Sequence, residues 1–261
     1  MIPHVVHYCW LGGGKMNYLL QKCVKSFNKL GNKITCYNES NLPQFDSPYV
    51  EACFRNKKWA FVSDWLRLKV LYECGGIYLD TDIQVKKPLP ESFYYKSLIL
   101  GYAYDNMICT GFIMAAPHHP FIKYLLDLTS KFPEGECIVN NAVFTQALLD
   151  FYPNFMLNGK YNEFAPGCIV YPRQAFDSAT FDKKYGFTIH HGMGSWDRSN
   201  SCIKKILRPI NKYLRYYCKP YGIWYQDRVN HRMIPLDIKG LEDYRLKGLN
   251  KLVDITKYQN K

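Results

Sequence analysis

Residues 58–85, KWAFVSDWLRLKVLYECGGIYLDTDIQV, constrain this chain more than any other stretch. Apolar residues recur at helical spacing over 58–74, Gly75 and Gly76 supply a left-handed stop, and Ile77-Tyr78-Leu79 reads as a buried strand. Asp80-Thr81-Asp82 falls where that strand ends, and a further short strand, 83–85, runs toward Pro88. A helix feeding an apolar strand that ends on two carboxylates belongs in an α/β sheet, where site residues gather at the strands' carboxyl ends. The first residues repeat the pattern. Residues 2–10, IPHVVHYCW, form an apolar strand ending at Gly12, Gly13 and Gly14. Met16, Leu19, Leu20, Cys23, Val24, Phe27 and Leu30 then recur at helical steps, and Gly31 precedes a second strand at 33–37. The glycine turn lacks the G-x-x-x-x-G-K-[ST] spacing of a phosphate loop.

Further strands are expected at 98–102, 111–115 and 187–191, and helices at 120–131 and 141–151. With 261 residues, 48% hydrophobic and 21% charged, the chain suits one large α/β body and excludes a disordered or collagen-like one. There is no internal repeat. The first ten residues lack a secretory signal, so a cytoplasmic location is expected. The longest uncharged run, 106–122, is broken by Pro117, His118, His119 and Pro120, so no bilayer-spanning helix is expected. Ten cysteines without a C-x-x-C pair read as reduced thiols.

Three constellations carry chemistry. In an extended segment Asp80 and Asp82 point to the same side, so their carboxylates converge on a place for a divalent cation, Mn2+ or Mg2+, which would neutralise a diphosphate. A lone D-x-D is also common on solvated turns. Asp64 and Arg67 share a helix face in line with Leu68 and Leu71, whereas Lys69 and Glu73 offer the better solvent face. An Arg held by Asp can bind phosphate or hydroxyls, although a surface ion pair would look the same in sequence. His190 and His191 are adjacent, so only one faces a crevice; Gly192-x-Gly194, Ser195 and Trp196 follow.

In order, I-P-x-x-x-H-Y-C-W, F-V-S-D-W-L-R-L-K-V-L-Y-x-x-G-G-I-Y-L-D-T-D, the run around His119-Pro120-Phe121, and H-H-x-x-G-S-W resemble the D-x-D sugar transferases of glycosyltransferase family 32. That family includes bacterial capsule and lipopolysaccharide enzymes and yeast mannosyltransferases. The resemblance covers roughly residues 2–10, 57–126 and 186–196. It implies a GT-A fold, Rossmann-like with a mixed, mostly parallel sheet, and a metal-dependent, retaining hexosyl transfer. The donor would be a nucleoside-diphosphate sugar, with a UDP-sugar favoured, and the acceptor a glycan or lipid-linked saccharide. Tyr8 and Trp10 would wall the donor; Asp64 and Arg67 would hold the sugar hydroxyls. Asp80 would meet ribose and metal, and Asp82 would ligate the metal. His191 would complete the metal shell, with His190 as the alternative, and Ser195 and Trp196 would meet the diphosphate. Where relatives often carry a T-G-P-like segment, this chain has Asn140 and Asn141; Asp105, Asn106 and Asn141 stay as further candidates.

The expected division is a catalytic domain at 1–197 and a basic, aromatic-rich extension at 198–261. Between Arg198 and Lys219 there are seven basic residues and no acidic one, interleaved with Ile203, Ile206, Leu207, Ile210 and Leu214. As a helix, 202–218 would suit either an anionic membrane surface or a core-packed element with a solvated basic face. The net charge of +12 raises nucleic acid as a rival partner, but that reading leaves D-T-D and H-H-x-x-G-S-W without a role. A metal-dependent hydrolase of nucleotide sugars is the nearer rival.

Overall fold

The computed structural model describes residues 1–31, 33–134, 140–178, 180–192, 210, 211, 213, 214 and 218–230. Its centre is a seven-stranded sheet built from β1 (Val5–Cys9), β2 (Lys33–Tyr37), β3 (Gly76–Leu79), β5 (Leu98–Tyr104), β6 (Met107–Ala115), β7 (Asn162–Ala165) and β8 (Cys168–Tyr171). The order across it is β2-β1-β3-β6-β5-β8-β7. β1, β2, β3, β5 and β8 run one way and β6 and β7 the other, so the sheet is mixed but mostly parallel in direction. A separate antiparallel pair joins β4 (Ile83–Val85) to β9 (Thr188–His190).

Both faces are covered, which is why the strands are apolar throughout. One face packs on α2 (Pro48–Arg55), α3 (Trp59–Cys74), α4 (Pro120–Ser130) and α5 (Asn140–Phe151), with Trp65, Leu66, Tyr78, Ile113 and Phe121 in its core. The other holds Ile77, Leu79, Phe112 and Met114 against the β4–β9 pair, Phe27 and α6 (Arg173–Phe176). Phe112 and Phe176 stack there at 3.8 Å with rings 10° apart. The period-two split of Ile77, Tyr78 and Leu79 between the two cores is what a strand buried on both faces requires.

The expected helix at 16–30 is shorter. α1 (Tyr18–Ser26) starts on Asn17, whose side chain accepts from Leu20 N at 3.0 Å, and residues 27–30 tighten into a 3-10 turn ended by Gly31 at φ 66°. α3 fills the expected span, and its apolar residues are buried nearly all round. The Gly75-Gly76 junction is set by crowding: Gly76 has φ 107°, and a Cβ there would lie 2.5 Å from the Val5 carbonyl oxygen of β1. β3 can therefore enter beside β1 only without a side chain. The four short elements α2, β7, β8 and α6 lie where no element was expected. The last described helix is α7 (Lys219–Asn230). The expected helix at 202–218 and the division at 197 fall largely outside the described residues. Among those residues, eight cysteines are free thiols, and no helix is long and apolar enough to cross a membrane.

Candidate active site

The carboxyl ends of the five same-direction strands share one edge of the sheet, and the candidate residues gather there. Asp80 leaves β3 with the parity of Tyr78, toward α3. Asp80 N donates to Gly111 O at 2.9 Å, and Asp80 O accepts Ile83 N at 2.9 Å, closing the D-T-D turn that returns the chain into β4. Gly111 leaves room for this turn, since a Cβ there would stand 3.0 Å from Asp80 Oδ2 and 3.5 Å from His190 Cε1.

Arg67 rises from α3 beneath these groups and is 4% exposed. One terminal nitrogen contacts Asp64 Oδ1 at 2.7 Å and Asp80 Oδ1 at 3.3 Å, and the other donates to Thr110 O at 2.6 Å. Its guanidinium lies 4.9 Å from the Tyr78 ring centre. Lys69 and Glu73 instead pair at the surface, so the helix divides as the sequence predicts. Asn140 Nδ2 donates to Asp64 Oδ1 at 3.1 Å, while Asn141 accepts from Thr110 and donates to Ile108 O, bracing β6.

The histidine beside the two acids is His190, the alternative, rather than His191. β9 pairs with β4 so that His190 lies opposite Ile83 and Ile189 opposite Gln84. The His190 ring then reaches Asp82 Oδ1 at 3.3 Å through Nε2 and Asp177 Oδ1 at 3.0 Å through Nδ1. His191 has the other parity, and its Nε2 meets Gln84 Oε1 at 3.2 Å. Its amide N still donates to Asp82 O at 3.0 Å. Asp80, Asp82 and His190 bring one ligand atom each within 4.8 Å of one another.

Trp10 follows β1 at the same edge, its indole N–H donating to Gly14 O at 2.6 Å. Tyr8 lies on the sheet face opposite α3, packed edge-on against Phe27 at 5.7 Å. Asp105 and Asn106 form the β5–β6 turn on the site edge, with Asn106 buried. Ser195 and Trp196 lie outside the described residues. Sequence reasoning missed Asp177, Arg173, Cys109 and Thr110. The one signal available was Arg173 and Asp177 at helical i,i+4 spacing around Phe176.

The electrostatics favour a cation. Burial pushes the Asp64 carboxyl up to about 6, with Arg67 opposing and Asp80 reinforcing the shift. Asp80 is also raised by burial, against Arg67 and with Asp82. Burial alone would lower His190, but hydrogen bonds to Asp177 and Asp82 outweigh it and hold the ring well above the ordinary histidine range. Among the described residues, Asp64, Asp80, Asp82 and Asp177 face the guanidinium groups of Arg67 and Arg173 and the His190 ring, so a metal that displaces the His190 proton would meet about two uncompensated negative charges. One divalent cation would balance them. Two carboxylates and an imidazole fit Mn2+ better than Mg2+, which prefers oxygen ligands.

This edge, with paired carboxylates after a buried strand and a buried arginine beneath them, lies at the carboxyl ends of the strands, where open α/β sheets bind their ligands. Residues 16–103 match the family model described as a glycosyltransferase sugar-binding region containing a DXD motif, and that span holds Asp64, Arg67, Asp80 and Asp82. Residues 16–103 are thus similar to the sugar-binding region of D-x-D glycosyltransferases, in line with the resemblance to family 32. It is 24% identical over 178 residues to an uncharacterized glycosyltransferase of Acanthamoeba polyphaga mimivirus, covering 62% of this chain and 69% of that one. Over 67 residues it is 34% identical to human alpha-1,4-N-acetylglucosaminyltransferase, covering 25% of this chain but only 18% of the human protein. Among solved structures, the PaToxG glycosyltransferase superposes with a TM-score of 0.49 at 22% identity, covering 59% of this chain and 71% of that one.

Proposed function

We propose that this protein transfers a hexose, with retention of anomeric configuration, from a nucleoside-diphosphate sugar to a glycan or lipid-linked saccharide in the synthesis of a bacterial surface polysaccharide. A UDP-sugar is the favoured donor. The observation that carries the reading is the convergence of Asp80, Asp82 and His190 beside the Asp64–Arg67 pair. These three residues would hold the cation, which when bound neutralises the donor diphosphate and stabilises the charge that develops as it leaves.

The chain's own groups do the rest. Asp64, fixed by Arg67 and Asn140, accepts hydrogen bonds from the donor sugar's hydroxyls and orients its anomeric carbon. Trp10 would wall the base, and Ser195 and Trp196 would meet the diphosphate. Asp64, Asp80, Asp82 and Asp177 are each engaged by Arg67, His190 or Arg173, which favours front-face attack over a carboxylate nucleophile. In that route the leaving phosphate takes the acceptor hydroxyl's proton. Residues 198–261 would serve as a basic extension that holds the catalytic body at an anionic membrane surface, where a lipid-linked acceptor resides.

The test is a thermal-shift screen of UDP-, GDP- and CMP-sugars with Mn2+, because a ligand that binds the native state raises its apparent stability. The donor it identifies is then used for transfer assays with the NMR-determined anomer of the product. Asp82→Ala should abolish transfer with melting behaviour retained. Near-normal transfer in EDTA would overturn the metal assignment, and free sugar released equally with and without acceptor would make the protein a hydrolase.

A further inference from the structure

Behind His190 stands a buried chain of groups to which neither the family match nor the proposed reaction gives a role. Arg173 Nε donates to Asp177 Oδ2 at 2.8 Å, and Asp177 Oδ1 lies 3.0 Å from His190 Nδ1. The Arg173 guanidinium is itself held 4.5 Å from the Tyr104 ring centre. Asp177 also grips the histidine through the backbone, its carbonyl oxygen accepting His190 N at 2.9 Å, and its own N–H is tied to Arg173 O at 3.0 Å. The Cys109 thiol closes the remaining side, 3.9 Å from Asp177 Oδ1 and 4.0 Å from His190 Nδ1.

We infer that Asp177, braced by Arg173, is a positioning residue that fixes the His190 ring so that Nε2 is presented to the cation. The inference rests on the metal reading above and deepens it. A carboxylate accepts but does not donate, so a hydrogen bond from His190 Nδ1 keeps the proton on that nitrogen and leaves the Nε2 lone pair for a metal. Carboxylate–histidine–metal arrangements of this kind set ring orientation and ligand basicity. A purely structural ion pair between Arg173 and Asp177 needs only Oδ2; spending Oδ1 and the backbone carbonyl on the same histidine does not follow from stapling α6. Asp177 and Arg173 are 7% and 8% exposed, so both act through His190 rather than on substrate.

The experiment is calorimetric titration of Mn2+ into the EDTA-stripped full chain without substrate, with melting curves for each variant. Asp177→Asn should weaken Mn2+ binding by roughly 10–100-fold, because the amide can donate to Nδ1 and drive the proton onto Nε2. Arg173→Met should weaken it by a smaller factor. Simple through-space charge predicts the reverse, since losing a nearby cation would tighten binding. The double variant R173M/D177N leaves no unpaired buried charge, and it should bind no more weakly than D177N alone because Arg173 acts through Asp177. Excess Mn2+ should restore the transfer rate of D177N, which it would not do for a damaged fold. A D177N affinity within about twofold of wild type, or tighter binding by R173M, overturns the inference. Absence of Mn2+ binding in the wild type would instead remove the metal reading and this role with it.

Discussion

Removing the Arg67 guanidinium leaves Asp64 and Asp80 facing each other around a buried gap. Breaking a buried ion pair by deleting one partner typically costs about 3–5 kcal/mol, since the remaining charge has lost its compensation. Arg67→Met should therefore lower the melting temperature by roughly 10 °C in a chain of this size, read by calorimetry. Gly111 separates geometry from stability. Its added Cβ in Gly111→Ala would press on Asp80 Oδ2 at 3.0 Å while its backbone needs no left-handed φ. Transfer should fall by roughly 10–100-fold with the melting temperature almost unchanged, because a displacement of this kind harms alignment more than folding. The pair Asp64 and Arg67 was legible in sequence because three-residue spacing on an apolar-lined helix face is a local property. Asp177 was not, because its partner His190 is brought to it by tertiary pairing.

At the scale of elements, the small β4–β9 pair decides which histidine joins the site. Both rings lie in one short segment, and only the register that sets His190 opposite Ile83 assigns inward parity to it. A second junction, between α4 and β8, gives a pH prediction. His119 precedes Pro120 at the start of α4, is 6% exposed, and has Nε2 3.6 Å from the Cys168 thiol and, among the described residues, no hydrogen-bond partner for Nδ1. Burial pushes its pKa down to about 4. The unfolded chain, with a histidine near 6.5, binds the proton more readily than the native state, so stability is present above about pH 6.5 and is lost as pH falls toward 4. The loss should reach roughly 3 kcal/mol, and His119→Asn should flatten this slope in urea unfolding measured across that window. The elements that went unseen, α2, β7, β8 and α6, are four to eight residues long, too short for a period to stand out.

At the scale of the molecule, charge is divided between the site and the extension. The described site is net negative around its candidate cation position, whereas 198–219 carries seven bases and no acid. If the extension meets an anionic leaflet, the full chain should float with vesicles containing anionic lipid at low salt and be released as salt rises, and a 1–197 truncation should stay in solution. Vesicle flotation that leaves the full chain unbound removes the membrane role without touching the transfer reaction.

By itself the sequence determined the α/β character, the helix–Gly-Gly–strand unit, the acid pair at the strand end and the Asp64–Arg67 face, because each depends on periodicity or spacing within some 25 residues. Only the tertiary structure decided that Asp80 meets Arg67, that Gly111 makes room for it, and that His190 backed by Asp177 joins the acids. Those contacts join residues up to 108 positions apart, as from Asp82 to His190, and strand order and register, which no local pattern encodes, bring them together.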